Sequence, residues 1–243
     1  MEKLVDYNSI FHLLINLSSE KYIDSMGLSI EEIEKKFESS TLDVTGKRRE
    51  NFVEYKLNPP SFIVIFYYYI YYYQSIPTQQ QFISLYYEVN REWVEDNVKT
   101  AHLEAFNGRL CRTYPSLIRD IHFYIFLKES NKFKRVIYKM KYDLTGKVDV
   151  FVESNRKNWY GLQLRVATKN SDIFYQKKPY RNVFNIPALK QVIDMPLNLD
   201  KAKSILTKKN ELKVYGEKDV FWLSEIINEI ESHAPSKIQI RGW

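Results

Sequence analysis

Apolar side chains recur at helical intervals through roughly the first hundred residues and at intervals of two between residues 136 and 167, so a helical half precedes a sheet-containing half. Ser29 and Glu32 form an S-x-x-E capping box ahead of a helix over Ile30–Phe37, and Ser61, after Pro59 and Pro60, is placed to cap the aromatic run Phe62–Tyr73. Pro77 ends that run, and Thr78 with Gln81 opens a helix carried by Phe82, Leu85, Tyr86, Val89 and Trp93. Two helices joined through Ser75–Pro77 make a hairpin, which packing explains better than DNA contact because the second helix is not notably basic. Residues 99–111 continue as helix, Tyr114-Pro115-Ser116 predicts a break, and Ser116 then caps a helix over Leu117–Lys128.

Alternation sets the rest. Val136, Tyr138, Met140 and Tyr142 share one face of a first strand, which Asp143-Leu144-Thr145-Gly146 closes as a hairpin loop. Val148, Val150 and Val152 share one face of a second, with Asp149 and Phe151 opposite. After the polar loop Glu153–Asn158, a third strand carries Tyr160, Leu162, Leu164 and Val166 on one side and Gly161, Gln163, Arg165 and Ala167 on the other. Thr168–Tyr180 reads as a basic segment with a short helix, Leu189–Ile193 as a fourth strand and Leu212–Tyr215 as a further one. An amphipathic helix through Val220, Leu223, Ile226, Ile227 and Ile230 follows. The expected fold class is α/β (α+β), with a helical N-terminal region over 1–98 and an α/β domain over 99–243.

Composition narrows the chemistry. With 7 glycines in 243 residues, the chain carries neither G-x-x-x-x-G-K-[ST] nor G-x-G-x-x-G, so nucleotide-driven chemistry is not expected. The twelve-residue run Phe62–Tyr73 is shorter than the roughly 20 residues that span a bilayer and reads as a buried helix. No charged-then-apolar leader follows Met1, and Cys111 is the single cysteine, which excludes an internal disulfide and a cysteine-rich zinc site. His12, His102, His122 and His233 are too scattered for a local metal motif, and Cys111 with His102 or His122 lacks a third orienting group. A reduced, cytoplasmic setting without membrane contact is expected. The net charge of +6 and pI near 9.1 favour a polyanionic partner.

The order helix, three strands, helix, strand over residues 116–194, with Asp149 on the second strand and Gln163-x-Arg165 on the third, resembles the core of the restriction-endonuclease-like, or PD-(D/E)XK, superfamily. The resemblance implies a central mixed sheet flanked by helices and a divalent-metal site, commonly Mg²⁺, for phosphodiester hydrolysis in DNA. Residues i and i+2 of a strand share a face, and a neighbouring strand brings a carboxylate opposite them. On this pattern Asp149 is the metal carboxylate, with Val148 where proline is usual, and Asp120 is a further acid on the preceding helix. Gln163 stands where an acid is usual and Arg165 where lysine is usual. Gln163 brings no charge, and Arg165 stays protonated, so it can stabilise a phosphate but not act as a base. Two functions therefore remain open. One is a Mg²⁺-dependent endonuclease in a mobile-element, restriction or phage-defence setting. The other is a catalytically inactive DNA-binding or protein-interaction subunit, in which Asp149 and Arg165 form a plain cross-strand ion pair.

Between Arg156 and Arg181 the chain sets seven basic residues, Arg156, Lys157, Arg165, Lys169, Lys177, Lys178 and Arg181, against one acid, Asp172. Trp159, Tyr175 and Tyr180 interleave as stacking groups, which suits a nucleic-acid backbone, double-stranded DNA first. A solvated basic face is the plainer alternative. A protein partner or a second copy would meet the aromatic surface of the Tyr67–Tyr73 set.

Overall fold

A computed structural model gives the structure of the chain and describes residues 3, 6–17, 19–39, 49–146, 148–166, 189–197 and 217–232. Two compact units divide it, Met1–Arg119 and Asp120–Trp243. Helix and a mixed sheet make up the described residues, and none of their helices is long and apolar enough to cross a membrane.

The first unit is helical, and its local signals act largely as the sequence implies. α1 (Tyr7–Ile15) starts at Asp6, whose carboxylate accepts from the Ser9 N–H at 2.7 Å, and α2 spans Ser19–Asp24. The capping box ahead of α3 (Ile30–Ser39) is formed: the Ser29 N–H donates to Glu32 at 2.8 Å and the Glu32 N–H to Ser29 Oγ at 3.2 Å. α4 (Phe62–Tyr73) is the aromatic helix, buried from Val64 to Ile70, where Phe66 meets Phe82 and Tyr114 edge-on. Ser61 stands at its start without a side-chain capping bond. Its N–H donates instead to Tyr7 Oη at 3.0 Å. Thr78 and Gln81 box the start of α5 (Gln79–Val89). The single helix expected through Trp93 is interrupted at Asn90, whose Nδ2 donates to the Tyr86 carbonyl at 2.9 Å, and α6 (Arg91–Asn97) follows.

The break expected at Tyr114-Pro115-Ser116 does not occur. α7 (Leu103–Glu129) runs unbroken through Pro115. A proline inside a helix removes the N–H that would bond to the carbonyl four residues back, here that of Cys111. Gln79 Nε2 donates to that carbonyl at 3.0 Å from a side chain that is itself buried, and Tyr114 Oη donates to the Pro77 carbonyl at 2.6 Å. Tertiary contacts thus replace the bond that the sequence forfeits.

The second unit carries the sheet. β1 (Arg135–Ile137), β2 (Val150–Glu153), β3 (Trp159–Val166) and β4 (Leu189–Leu197) lie side by side in chain order. The first two pairings are antiparallel and β3 with β4 is parallel. The first strand is shorter than its alternation implies. From Met140 the chain forms α8 (Met140–Gly146), so the hairpin loop expected at Asp143–Gly146 is helical instead. Met140 and Leu144 are four residues apart, a helical spacing that competes with the alternation of Tyr138, Met140 and Tyr142. β4 continues past Ile193 to Leu197 and admits Pro196 as the outermost of the described strands, where a missing N–H is tolerated.

Tyr138, Met140, Val148, Val150, Val152 and Leu162 are fully buried, each worth about 1.5–3 kcal/mol of burial for a residue of this size. α9 (Glu217–Ser232) buries Val220, Leu223 and Ile227, as its periodicity implies. The expected short helix in Thr168–Tyr180 and strand at Leu212–Tyr215 lie outside the described residues.

Candidate functional site

Asp149 sits one residue before β2, at the strand's mouth. Both ends of the residue are tied to β3: its N–H donates to the Leu162 carbonyl at 2.9 Å, and its carboxylate accepts from the Leu164 N–H. The strict alternation expected here is broken. Phe151 pairs with Gly161 and so shares its face, while a Cβ added at Gly161 would lie 2.9 Å from Val148 Cγ1. Val148 and Phe151 therefore share a face across an odd spacing, and the expectation that Val148 and Val150 point the same way fails. Leu164 is half-buried, while Tyr160 and Leu162 on its expected side are buried. The Asp149 carboxylate acts as an acceptor for the β3 backbone just beyond the end of β2.

Three further aspartates share its field. In the parallel pairing of β3 with β4, Gln163 stands beside Asp194, one residue beyond the strand expected at Leu189–Ile193. Asp143 comes from α8 and Asp120 from α7. Burial, first, and then the charges of Asp143, Asp120 and Asp194 push the Asp149 carboxyl well above the ordinary aspartate range, against the opposing Leu164 N–H. Burial also pushes Asp143 up, to about 6, although Tyr138 Oη donates to its Oδ2 at 2.9 Å and favours the anion. Gln163 is half-buried. Arg165 is described only in its backbone, paired with Pro196, so the Asp149–Arg165 ion pair lies outside what the structure describes.

Does this group fit the Mg²⁺ that the resemblance implies? An octahedral cation needs several oxygen ligands at about 2.0–2.1 Å. Among the described residues no three His, Cys, Asp or Glu side chains are arranged to hold a metal ion. One Asp149 oxygen is already engaged by a backbone N–H, and Gln163 offers only a neutral carbonyl. The aspartates share a field without forming a ligand shell, so they do not fit the cation. Their arrangement can instead keep a carboxyl protonated at a pH where an ordinary aspartate is ionised, as a hydrogen-bond donor.

A basic surface lies at the other end of β2, roughly 13 Å away along four residues of strand. Arg156 donates from Nη1 to the Glu231 carbonyl at 2.6 Å, and its Nε lies 3.7 Å from the Glu231 carboxylate. The same carboxylate accepts from Ser154, Asn158 and Tyr160, and the hydrogen bonds from these groups together with Arg156 hold it below its ordinary range despite its burial. Lys157 is exposed with φ of 65°. Lys169, Lys177, Lys178 and Arg181 lie outside the described residues. The structure adds Lys134 and Arg135, which lie outside the Arg156–Arg181 cluster. Arg135 Nε lies 2.5 Å from Glu153 Oε2 and its guanidinium stacks 4.8 Å from the Trp159 ring centre. Only the pairing Arg135–Glu153–Trp159 across three strands reveals that grouping. Tyr67, Tyr68 and Tyr69 are core, which leaves Tyr73 as the exposed end of the aromatic set.

No protein-family model, no curated protein and no solved structure matches this chain.

Proposed function

We propose that the chain is a DNA-binding protein built on a restriction-endonuclease-like core whose acidic centre does not work as a metal site. The observation that carries this reading is the engagement of Asp149 with the β3 backbone beside a neutral Gln163, at the position where that superfamily gathers its metal carboxylates. The parallel β4 beside β3, the antiparallel β1–β2–β3 and the long helix before them support the core. The local excess of lysine and arginine from Arg156 to Arg181 supports the polyanionic partner.

A second reading, a metal-dependent endonuclease, is favoured by one observation. Asp143 and Asp194 add negative charge around Asp149 that a cation would neutralise. A restriction, mobile-element or phage-defence setting follows either reading by family association alone.

The DNA-binding claim is tested by fluorescence anisotropy with a labelled duplex over a range of salt. Affinity should fall steeply, by a slope of about 0.9 per phosphate contacted. Replacing Lys177, Lys178 and Arg181 together with alanine should weaken binding and flatten that slope. No binding by the parent protein at low salt overturns the proposal, and an unchanged triple variant removes that segment from the interface.

A further inference from the structure

The tip of the β2–β3 hairpin gathers cations that the acidic centre does not use. Glu153 is 3% exposed, yet three positive side chains surround it. Arg135 Nε lies at 2.5 Å, Lys134 Nζ at 3.8 Å, and Lys157 acts on it through its charge. The anion lies beneath and the cations above. Arg135 keeps 60% of its side chain exposed and Lys134 45%, so one buried carboxylate positions three groups and neutralises only one of them. The remaining positive charge faces solvent.

Arg135 is also held rigidly. Glu153 engages Nε and the Trp159 ring supports the guanidinium plane, while the terminal nitrogens, which carry four further donors, have no partner among the described residues. A guanidinium fixed in this way loses little freedom when it takes an anion, and its fork matches phosphate oxygens. The loop between the strands carries the second observation. Within it Asn155–Lys157 form a turn closed by the Lys157 N–H on the Ser154 carbonyl at 3.0 Å, with Lys157 left-handed at φ of 65°. Glycine or asparagine ordinarily fills that position in such a loop. A long cationic side chain there, next to Arg156, is not what the turn itself requires.

We propose that Lys134, Arg135 and Lys157 form a phosphodiester-backbone site that grips DNA at the hairpin tip. The proposal rests on the DNA-binding reading above. Phosphate is preferred over an acidic protein because rigid guanidinium and flanking ammonium groups meet tetrahedral oxygens that repeat along a strand.

The test uses the full chain and the double variant Lys134→Ala/Lys157→Asn, which leaves Arg135, Glu153 and Trp159 in place and gives the turn a residue suited to its backbone. The variant should melt at or above the temperature of the parent. Its slope of log affinity against log salt should be shallower by about 0.9 for each lysine removed. If the parent binds duplex DNA and the variant binds with the same affinity and slope, this inference fails while the DNA-binding reading stands. If the parent does not bind DNA, both fail. Should the variant melt lower, Lys134→Arg/Lys157→Arg decides: restored binding supports the site, and no restoration overturns it. Competition by polyglutamate as effective as by DNA overturns the phosphodiester assignment.

Discussion

Asp143→Asn tests the electrostatics of the acidic centre without disturbing its packing, because asparagine keeps an acceptor for Tyr138 Oη and removes only the charge. The Asp143 carboxyl titrates near 3.8 in an unfolded chain and near 6 in the fold. The folded state therefore binds the proton more tightly. That contribution to stability is full below 3.8 and is lost as pH rises through 6. At pH 8 the fold must hold an anion it disfavours, at a cost of about 3 kcal/mol for a displacement of this size. This is an upper figure, because Asp143 is only half-buried and solvent screens part of the cost. Asparagine removes the cost, so the variant should be more stable than the parent at pH 8, with a melting temperature higher by up to about 6–12 °C. The gap should close by about pH 4, where the aspartate is protonated anyway. Differential scanning calorimetry from pH 4 to 8 reads both quantities. A variant no more stable than the parent at pH 8, or a gap that does not change with pH, refutes the reasoning. A rise in parent stability on adding millimolar Mg²⁺, absent in the variant, would show that the aspartates do form a cation site.

Two further outcomes follow from the packing. Gln79→Ala removes the Gln79 donor from the Cys111 carbonyl and should cost about 1–3 kcal/mol in urea unfolding. In a Pro115→Ala background that cost should shrink, because residue 115 then supplies the missing N–H, and strict additivity of the two changes would contradict the account. Gly161→Ala should cost about 1–3 kcal/mol by forcing its Cβ against buried Val148, a cost that Val148→Ala should partly relieve; full stability of the single variant would contradict the close approach.

Local chemistry was legible in the sequence where it acts over a few residues, as at the Ser29–Glu32 and Thr78–Gln81 boxes, the aromatic core helix and the periodic α9. It misled where a distant side chain decided. Pro115 breaks a helix in isolation, and in the fold Gln79, far away in the chain, supplies a donor to the carbonyl that the proline leaves unserved as α7 continues. Met140–Gly146 fits both a strand and a helix pattern, so alternation could not arbitrate. The candidate site shows the same limit. Asp149 and Asp120 were found from their order along the chain, but Asp194 enters through the parallel register with Gln163 and Asp143 through the helix that replaced a loop. Lys134 and Arg135 lie too far from Lys157 in sequence to join its basic cluster until β1 pairs with β2.

The measurement that bears most directly on the central claim is incubation of supercoiled plasmid with the purified protein in Mn²⁺, beside Asp149→Ala, with nicking and mobility shift read on one gel. The account predicts that both proteins retard the plasmid and neither nicks it, since Asp149 serves the β3 backbone and Gln163 adds no charge. Mn²⁺-dependent nicking by the parent that disappears in Asp149→Ala would contradict it and establish the endonuclease.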